Sequence, residues 1–352
     1  MRTVTCSAPG KALLLGGYLV LEPSHPGLVA AASCRFRCVV SGPHKPGPHK
    51  PGPHKPGPHK PGPHAPGVTP GPLRVVVRSE QLRATWEYEV SFPPPPAAPP
   101  PGPAAGYAAL ERVPLPELRL SACSSVAHGR LPAPGAEHGS RFVEAALRAA
   151  LGYARRHGPV PGGELPGGEL RVELRADGGF YSEGSPEVVD DDAAPTGKRV
   201  QVNKTGMGSS ACLTTSLVGA LLSFLATPLP PGVLLNLSQL AHCASQGKVG
   251  SGFDVAAAVS GGQLYTRFPR EVLTAAGPLE GGVGRLAWVA EGLGAIVAGA
   301  YQPEAPAGAP PLWGAGASPQ QPFSLRELGL RLYLADVRGG SDSPSMARAV
   351  LE

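Results

Sequence analysis

Between Gly42 and Pro66 the chain repeats the pentad Gly-Pro-His-x-Pro five times, and neither helix nor strand can run through such a tract. Proline fixes φ and removes a backbone donor, so a fold has to be assembled from what lies on either side. A second stretch, 93–105, consists only of Pro, Ala and Gly. Together these tracts hold much of the unusual proline (44) and glycine (48) content. We expect inserts at 42–72 and 93–105 that are flexible and partly polyproline, carried by a folded unit. The repeated histidines are not expected to be a metal site, because nothing in the pentad would hold them as ligands.

The pentads also distort the charge balance. The net charge is +5, and Lys45, Lys50, Lys55 and Lys60 all lie inside them; without those four about +1 remains. The folded part therefore has no basic bias, which argues against a nucleic-acid surface. Six cysteines at 6, 34, 38, 123, 212 and 243 form no Cys-x-x-Cys pair, which reads as reduced intracellular thiols rather than a disulfide framework. The longest apolar run, 211–226, is too short for a membrane span and carries hydroxyl residues. The polar start "MRTVTCSAPGK" lacks a signal-peptide pattern.

Elsewhere hydrophobic periodicity predicts mixed elements. Strands are expected within 3–40, as "TVTCSAPGK", "ALLLGGYLVL" and "LVAAASCRFRCVV", with Lys11 in a Pro-Gly turn between the first two. "LRVVVRS" and "TWEYEVSF" read as a hairpin. Residues 140–157 form an amphipathic helix with Ser140 as its N-cap and Gly158 at its end. Further strands are predicted at 170–176, 198–203 and 330–337, and helices at 209–226, about 234–246 and 343–352. This order indicates an α+β fold.

One stretch points to chemistry. "NKTGMGSSACLTTSLVGALL", 203–222, places a strand, a Gly-x-Gly turn, two serines and an apolar helix in succession. Such a turn aims backbone N–H groups and the positive end of a helix dipole at an anion. It is not a Walker loop, since no Lys-Ser/Thr follows the second glycine. A Gly-Ser turn that merely starts a core helix is the alternative. A second glycine-rich turn, "GKVGSGFDVAAAVSGG" (247–262), puts Asp254 at the start of another helix, the sole acidic residue between Ala193 and Arg270. Asp254 is either an N-cap or an active-site carboxylate that the helix dipole favours. Lys11 is either a surface lysine or a cation that neutralises phosphate.

Taken together, "SAPGK" (7–11), "KTGMGSSA" (204–211) and the Asp254 turn resemble the GHMP kinase superfamily. The stretches "APGKALLLGGYLVLE" (8–22), "DGGFYS" (177–182), "AHCASQGKVGSGFDVA" (241–256) and "ADVRGGSDSPSMARAVL" (335–351) are similar to its phosphomevalonate kinase branch of fungal and plant type. The resemblance implies a ribosomal-protein-like N-terminal domain over 1–270, a low-complexity linker over 271–320, and the start of an incomplete ferredoxin-like C-terminal domain over 321–352. It implies ATP and Mg²⁺ as cofactors. Lys204, Gly206, Gly208, Ser209, Ser210 and Ala211 would hold ATP, with the Ser210 hydroxyl on the metal. Asp254 and Lys11 would be catalytic. Lys248, Ser251, Arg338, Ser341 and Ser343 would face the substrate, 5-phosphomevalonate, in the mevalonate pathway to isoprenoids and sterols. No nucleic-acid or membrane partner is implied, and the oligomeric state is left open. The expected location is cytoplasmic, with the peroxisome as the alternative.

The chain also departs from the family. Met207 stands where Leu is usual, and Gly17-Tyr18 where galactokinases and mevalonate kinases carry Gly-Glu. The 241–248 stretch holds no carboxylate for Mg²⁺. The third Gly-rich motif is missing, since "GGVG" (281–284) and "GAGAS" (314–318) precede the Ser341 loop, so the chain is expected to stop short of a complete kinase. Another small-molecule kinase of the family, similar to mevalonate kinase, or an inactive nucleotide-binding protein are the competing readings.

The pentads have no apolar face and no regular hydrogen bonding. Deleting 43–66 is expected to change unfolding free energy by only about 1 kcal/mol, the scale of loop-closure entropy. Denaturant unfolding of the deletion variant checks this.

Overall fold

A computed structural model describes residues 1–43, 73–92, 116–125, 139–157, 168–183, 187–190, 198–229, 232–268 and 321–335. Residues 44–72 and 93–105, the 271–320 tract, Gly158, the helix expected at 343–352, and Arg338, Ser341 and Ser343 lie outside them.

The described elements in chain order are β1 (Arg2–Leu15), β2 (Gly27–Gly42), β3 (Leu73–Ser79), β4 (Ala84–Ser91), β5 (Glu117–Ser125), α1 (Arg141–His157), β6 (Gly168–Ala176), β7 (Glu187–Asp190), β8 (Lys198–Gln201), α2 (Ser209–Phe224), α3 (Val233–Gln246), α4 (Phe253–Ser260), β9 (Gln263–Tyr265) and β10 (Gln321–Pro322). An eight-stranded sheet runs β10-β9-β2-β6-β3-β4-β5, with β1 added along β2. β7 and β8 form a separate antiparallel ribbon. The architecture is α+β, as the element order predicts.

β2 organises the sheet. Antiparallel β1 covers one edge along its length. The other edge is shared: β6 pairs with Phe36–Ser41 and β9 with Gly27–Val29. Between those two pairings the edge is open, and Ala30, Ala31, Ala32, Ser33 and Cys34 line a cleft of about 1170 Å³.

Period-two alternation places Leu73, Val75 and Val77 of β3 and Trp86, Tyr88 and Val90 of β4 in the core, against α1 and α2. α1 buries the predicted stripe of Val143, Leu147 and Leu151, and its small residues Ala145, Ala149 and Ala150 are buried as well. Its start is set by Ser140, whose hydroxyl accepts from the Val143 N–H at 3.4 Å, the N-cap bond predicted from sequence. α2 is buried almost all round, as an apolar helix without a polar face must be. Each fully buried leucine, such as Leu217 or Leu221, contributes about 1.5–3 kcal/mol. The core thus grips α2 along its whole length and fixes where its N-terminus points.

Three sequence expectations are corrected. Lys11 does not sit in a turn: β1 runs unbroken from Arg2 to Leu15, and Pro9-Gly10 is absorbed as an irregularity in the register. Proline is tolerated there because β1 pairs with β2 alone and so is an edge strand. Residues 17–21, expected as strand, form a 3₁₀ turn after Gly16 and Gly17 take positive φ (112° and 41°). The stretch expected as strand at 330–337 has no strand pairing over its described part, 330–335. Leu330, Leu332 and Leu334 alternate as a strand would, yet each is exposed; they stand over the cleft instead of entering the sheet.

Phe180, fully buried in a 3₁₀ turn after β6, packs edge-on against Phe36 with centroids 6.1 Å apart. Phe180→Ala is expected to cost about 3–5 kcal/mol. Urea unfolding measures it, and a loss under about 1 kcal/mol would mean this turn is not part of the core.

Candidate active site

The Gly-x-Gly turn is built on two backbone anchors. On one side lies "DGGFYS": Thr205 donates its N–H to Phe180 O at 3.1 Å and its hydroxyl to Gly179 O at 2.7 Å. Ser182 N–H donates to Asn203 O, and Tyr181 bridges Lys204. Asp177, at the head of that segment, accepts from the Arg35 N–H and pairs with the Arg37 guanidinium, which ties the segment to β2 and holds its carboxyl below the usual range.

On the other side lies β1. Its register jumps between Pro9 and Lys11, which pair with Arg35 and Ala31. The bulge turns the Lys11 N–H out of the ladder and onto Met207 O at 3.1 Å, while Lys11 Nζ donates to Gly206 O at 2.7 Å. Gly10 is needed at the bulge, because a Cβ there would come within 2.8 Å of Cys34 Sγ and 3.2 Å of Met207 O. The Cys212 thiol, on the first turn of α2, donates to Pro9 O at 3.0 Å, and burial pushes that thiol up to about 12.

Within the loop Gly206 and Gly208 both have positive φ (76° and 78°), and Gly208 is the N-cap of α2 with no side-chain cap. The orphan N–H groups of the first helical turn are therefore left without a capping side chain, as an anion site requires. Ser209 is buried, Ser210 half-buried and Ala211 fully buried.

Asp254 faces this turn from the second position of α4. The N-cap reading fails: Gly252 is the cap, and Asp254 Oδ1 accepts from the neighbouring Val255 N–H. A Cβ on Gly208 would lie 3.3 Å from Lys11 Cε and 3.6 Å from Asp254 Cβ, so loop, cation and carboxylate converge on one glycine. Burial lowers the Lys11 pKa, and Asp254 opposes that by favouring the ammonium. The Lys11 ammonium also lies 5.4 Å from the Phe253 ring centroid.

The remaining described site residues sit further out. Lys204 is exposed; desolvation and the Arg141 guanidinium lower its pKa, and surface solvent weakens both effects. Lys248 is exposed just past α3, and Ser251 lies in the turn into α4. That turn is held from below: Arg267 donates to Val249 O and Gly250 O, Tyr265 to Ser251 O, and Gln239 to Gly252 O.

Sequence reasoning missed His242. It is buried at 3% exposure in α3, with Nε2 3.1 Å from Ser210 Oγ and 4.0 Å from Asp254 Oδ2. Burial lowers its pKa, opposed by Asp254 and aided by Lys248. The signal was available: Gln239, His242 and Gln246 recur at helical spacing on one side of α3. Among the described residues no three His, Cys, Asp or Glu side chains form a metal cluster.

Gly206 and Gly208 share the same backbone strain but not the same surroundings. A Cβ on Gly206 meets nothing within 4 Å. Both alanine variants should lose about 1–3 kcal/mol, and Gly208→Ala should lose more because Lys11 must yield. Paired thermal unfolding checks this, and equal losses would mean that the convergence on Gly208 is not tight.

Comparison with known proteins fits this geometry. Residues 195–262 match the GHMP kinase N-terminal domain, a span that takes in the loop, His242 and Asp254. The chain is 33% identical to "Phosphomevalonate kinase erg8" of Aspergillus fumigatus over 98% of its own length and 65% of the relative's. It is 28% identical to "Phosphomevalonate kinase, peroxisomal" of Arabidopsis thaliana, over 99% and 63%. It spans less than two thirds of either relative. A solved Streptococcus pneumoniae phosphomevalonate kinase, in complex with phosphomevalonate and AMPPNP, is 16% identical with a TM-score of 0.40, over 78% of this chain and 52% of that one. No described helix is long and apolar enough to cross a membrane. The N-terminal domain match places residues 195–262 in the GHMP kinase superfamily, and nearly the whole chain is similar to the two curated phosphomevalonate kinases.

Proposed function

We propose that this chain carries the ATP-binding half of a phosphomevalonate kinase, which transfers the γ-phosphoryl group of ATP to the phosphate of 5-phosphomevalonate. The observation that carries the reading is the convergence of Lys11 and Asp254 on Gly208, at the uncapped start of α2. Similarity to phosphomevalonate kinases over nearly the whole chain supports the choice of acceptor. The reading also keeps Lys248 and Ser251 at the substrate side, with Arg338, Ser341 and Ser343 outside the described residues.

In the transfer, an acceptor phosphate oxygen bonds to the γ-phosphorus as the bond to the β,γ-bridging oxygen breaks, and the electron pair leaves on ADP. A phosphate monoester has a second pKa near 6, so the acceptor arrives largely as a dianion and needs little deprotonation. The barrier is the meeting of two polyanions. Lys11 and the free N–H groups of α2 supply positive charge where it develops. Asp254 holds Lys11 charged against its desolvation and orients the acceptor. Mg²⁺ fits the donors present, which are hard oxygens: the Ser210 hydroxyl and the Asp254 carboxylate. When bound it would neutralise charge on the ATP phosphates.

Asp254→Asn is expected to reduce turnover of phosphomevalonate on the order of a hundredfold or more, with ATP still bound. It should also lower the Lys11 pKa further, because the carboxylate that favours the ammonium is gone. Steady-state assays and a lysine NMR titration read the two effects. Wild-type turnover in the variant would remove Asp254 from the site. Phosphorylation of an unphosphorylated alcohol, but not of phosphomevalonate, would move the reading to another kinase of the superfamily.

A further inference from the structure

We propose that His242 is a positioning residue for the metal-binding hydroxyl: it accepts the Ser210 O–H at Nε2, so that the oxygen's lone pairs face the phosphate loop. The inference rests on the kinase reading above and deepens it.

A serine hydroxyl has one proton and two lone pairs, and only a lone pair can ligate a cation. An unconstrained hydroxyl beside an anion would turn its proton toward that anion. Ser210 is constrained, since its Oγ lies 3.1 Å from His242 Nε2. Gln246 Nε2, an amide nitrogen that can only donate, lies 3.1 Å from the same ring nitrogen. The two contacts fit a ring that is bare at Nε2 and carries its proton on Nδ1. Ser210 then donates inward and presents its oxygen outward.

The geometry makes this arrangement rigid. His242 is buried at 3% exposure, and its ring packs against Phe142 with centroids 5.8 Å apart. Ser210 is only half-buried, so its outer side is open to the loop. The same imidazole nitrogen stands 4.0 Å from Asp254 Oδ2, so it neighbours both oxygen donors that the site offers a cation. The stretch "AHCASQGK" (241–248) that carries His242 offers no carboxylate. His242 compensates without ligating: it orients a neutral ligand instead of adding a charged one.

The test separates metal-dependent from metal-free nucleotide binding. The affinity of the full chain for ATP is measured calorimetrically with Mg²⁺ and with EDTA, and the ratio defines a magnesium increment. Ser210→Ala should cut that increment about tenfold, the scale of one lost polar contact, a larger loss than any it causes in metal-free binding. His242→Leu should produce a similar loss. His242→Gln, whose side-chain oxygen reaches the position of Nε2, should recover most of it. In the Ser210→Ala background His242→Leu should add no further loss, because its effect runs through the hydroxyl. A purely structural histidine would instead lower thermal stability and weaken both affinities alike, with losses that add to those of Ser210→Ala; that result overturns the proposal. Should His242→Leu not fold, an undiminished increment in Ser210→Ala overturns it equally. Wild-type chain that binds no nucleotide under either condition would remove the kinase reading itself, and this inference with it.

Discussion

The hydrogen bond from the Lys11 N–H to Met207 O is the contact on which the site depends. It exists because β1 breaks register at Gly10, and the break is permitted because Gly10 has no Cβ to strike Cys34 Sγ or Met207 O. A regular strand would have sent that N–H into the ladder and left the loop tied only to "DGGFYS". Instead one residue fastens the loop twice, by its backbone to Met207 and by its ammonium to Gly206. The cation is thereby placed by the backbone and not by a long, flexible side chain searching for its partner. That economy matters where two polyanions must meet, since a pre-placed charge costs no reorganisation during reaction.

Much of this was legible in the sequence, for reasons that can be named. The buried helix Ser209–Phe224 follows from an apolar run with no polar face, and the hairpin of β3 and β4 from strict alternation. The Gly-x-Gly turn needed positive φ at two positions, and glycine is the residue that advertises it. Lys11 was assigned the right company and the wrong local structure. Pro-Gly signals a turn when read locally, but an edge strand can take the same pair as a bulge, and edge status is decided by pairings distant in sequence. Leu330, Leu332 and Leu334 failed for the converse reason: their alternation states a preference that no described strand edge satisfies. β5 was overlooked because "ELRLSACSS" is more than half polar.

His242 shows a different limit. Its helix was predicted, and so was the carboxylate it faces, yet nothing local announces that Ser210 and His242, 32 positions apart, would touch. What the pattern does show is a cost. α3 buries Asn236, Ser238, Gln239, His242 and Ser245, and buried polar groups are expensive unless partnered. Three of these have partners that matter to the site: Gln239 holds Gly252 O, Ser245 reaches Arg141 O at the start of α1, and His242 holds Ser210.

α3 is therefore best understood as the brace between the two glycine-rich turns. On its far side the carbonyls of 249–252 are all drawn inward, by Arg267, Tyr265 and Gln239. Carbonyl oxygens left pointing outward would repel a phosphate; turned inward, they leave the start of α4 to present Asp254 as the local negative charge beside Lys11. On the near side His242 leaves the first turn of α2 with a hydroxyl and no charge. One helix thus keeps one side of the phosphate loop cationic and hydrogen-bond-donating, and confines the carboxylate to a single point. A phosphoryl donor and a phosphorylated acceptor can share a pocket only under that division of charge.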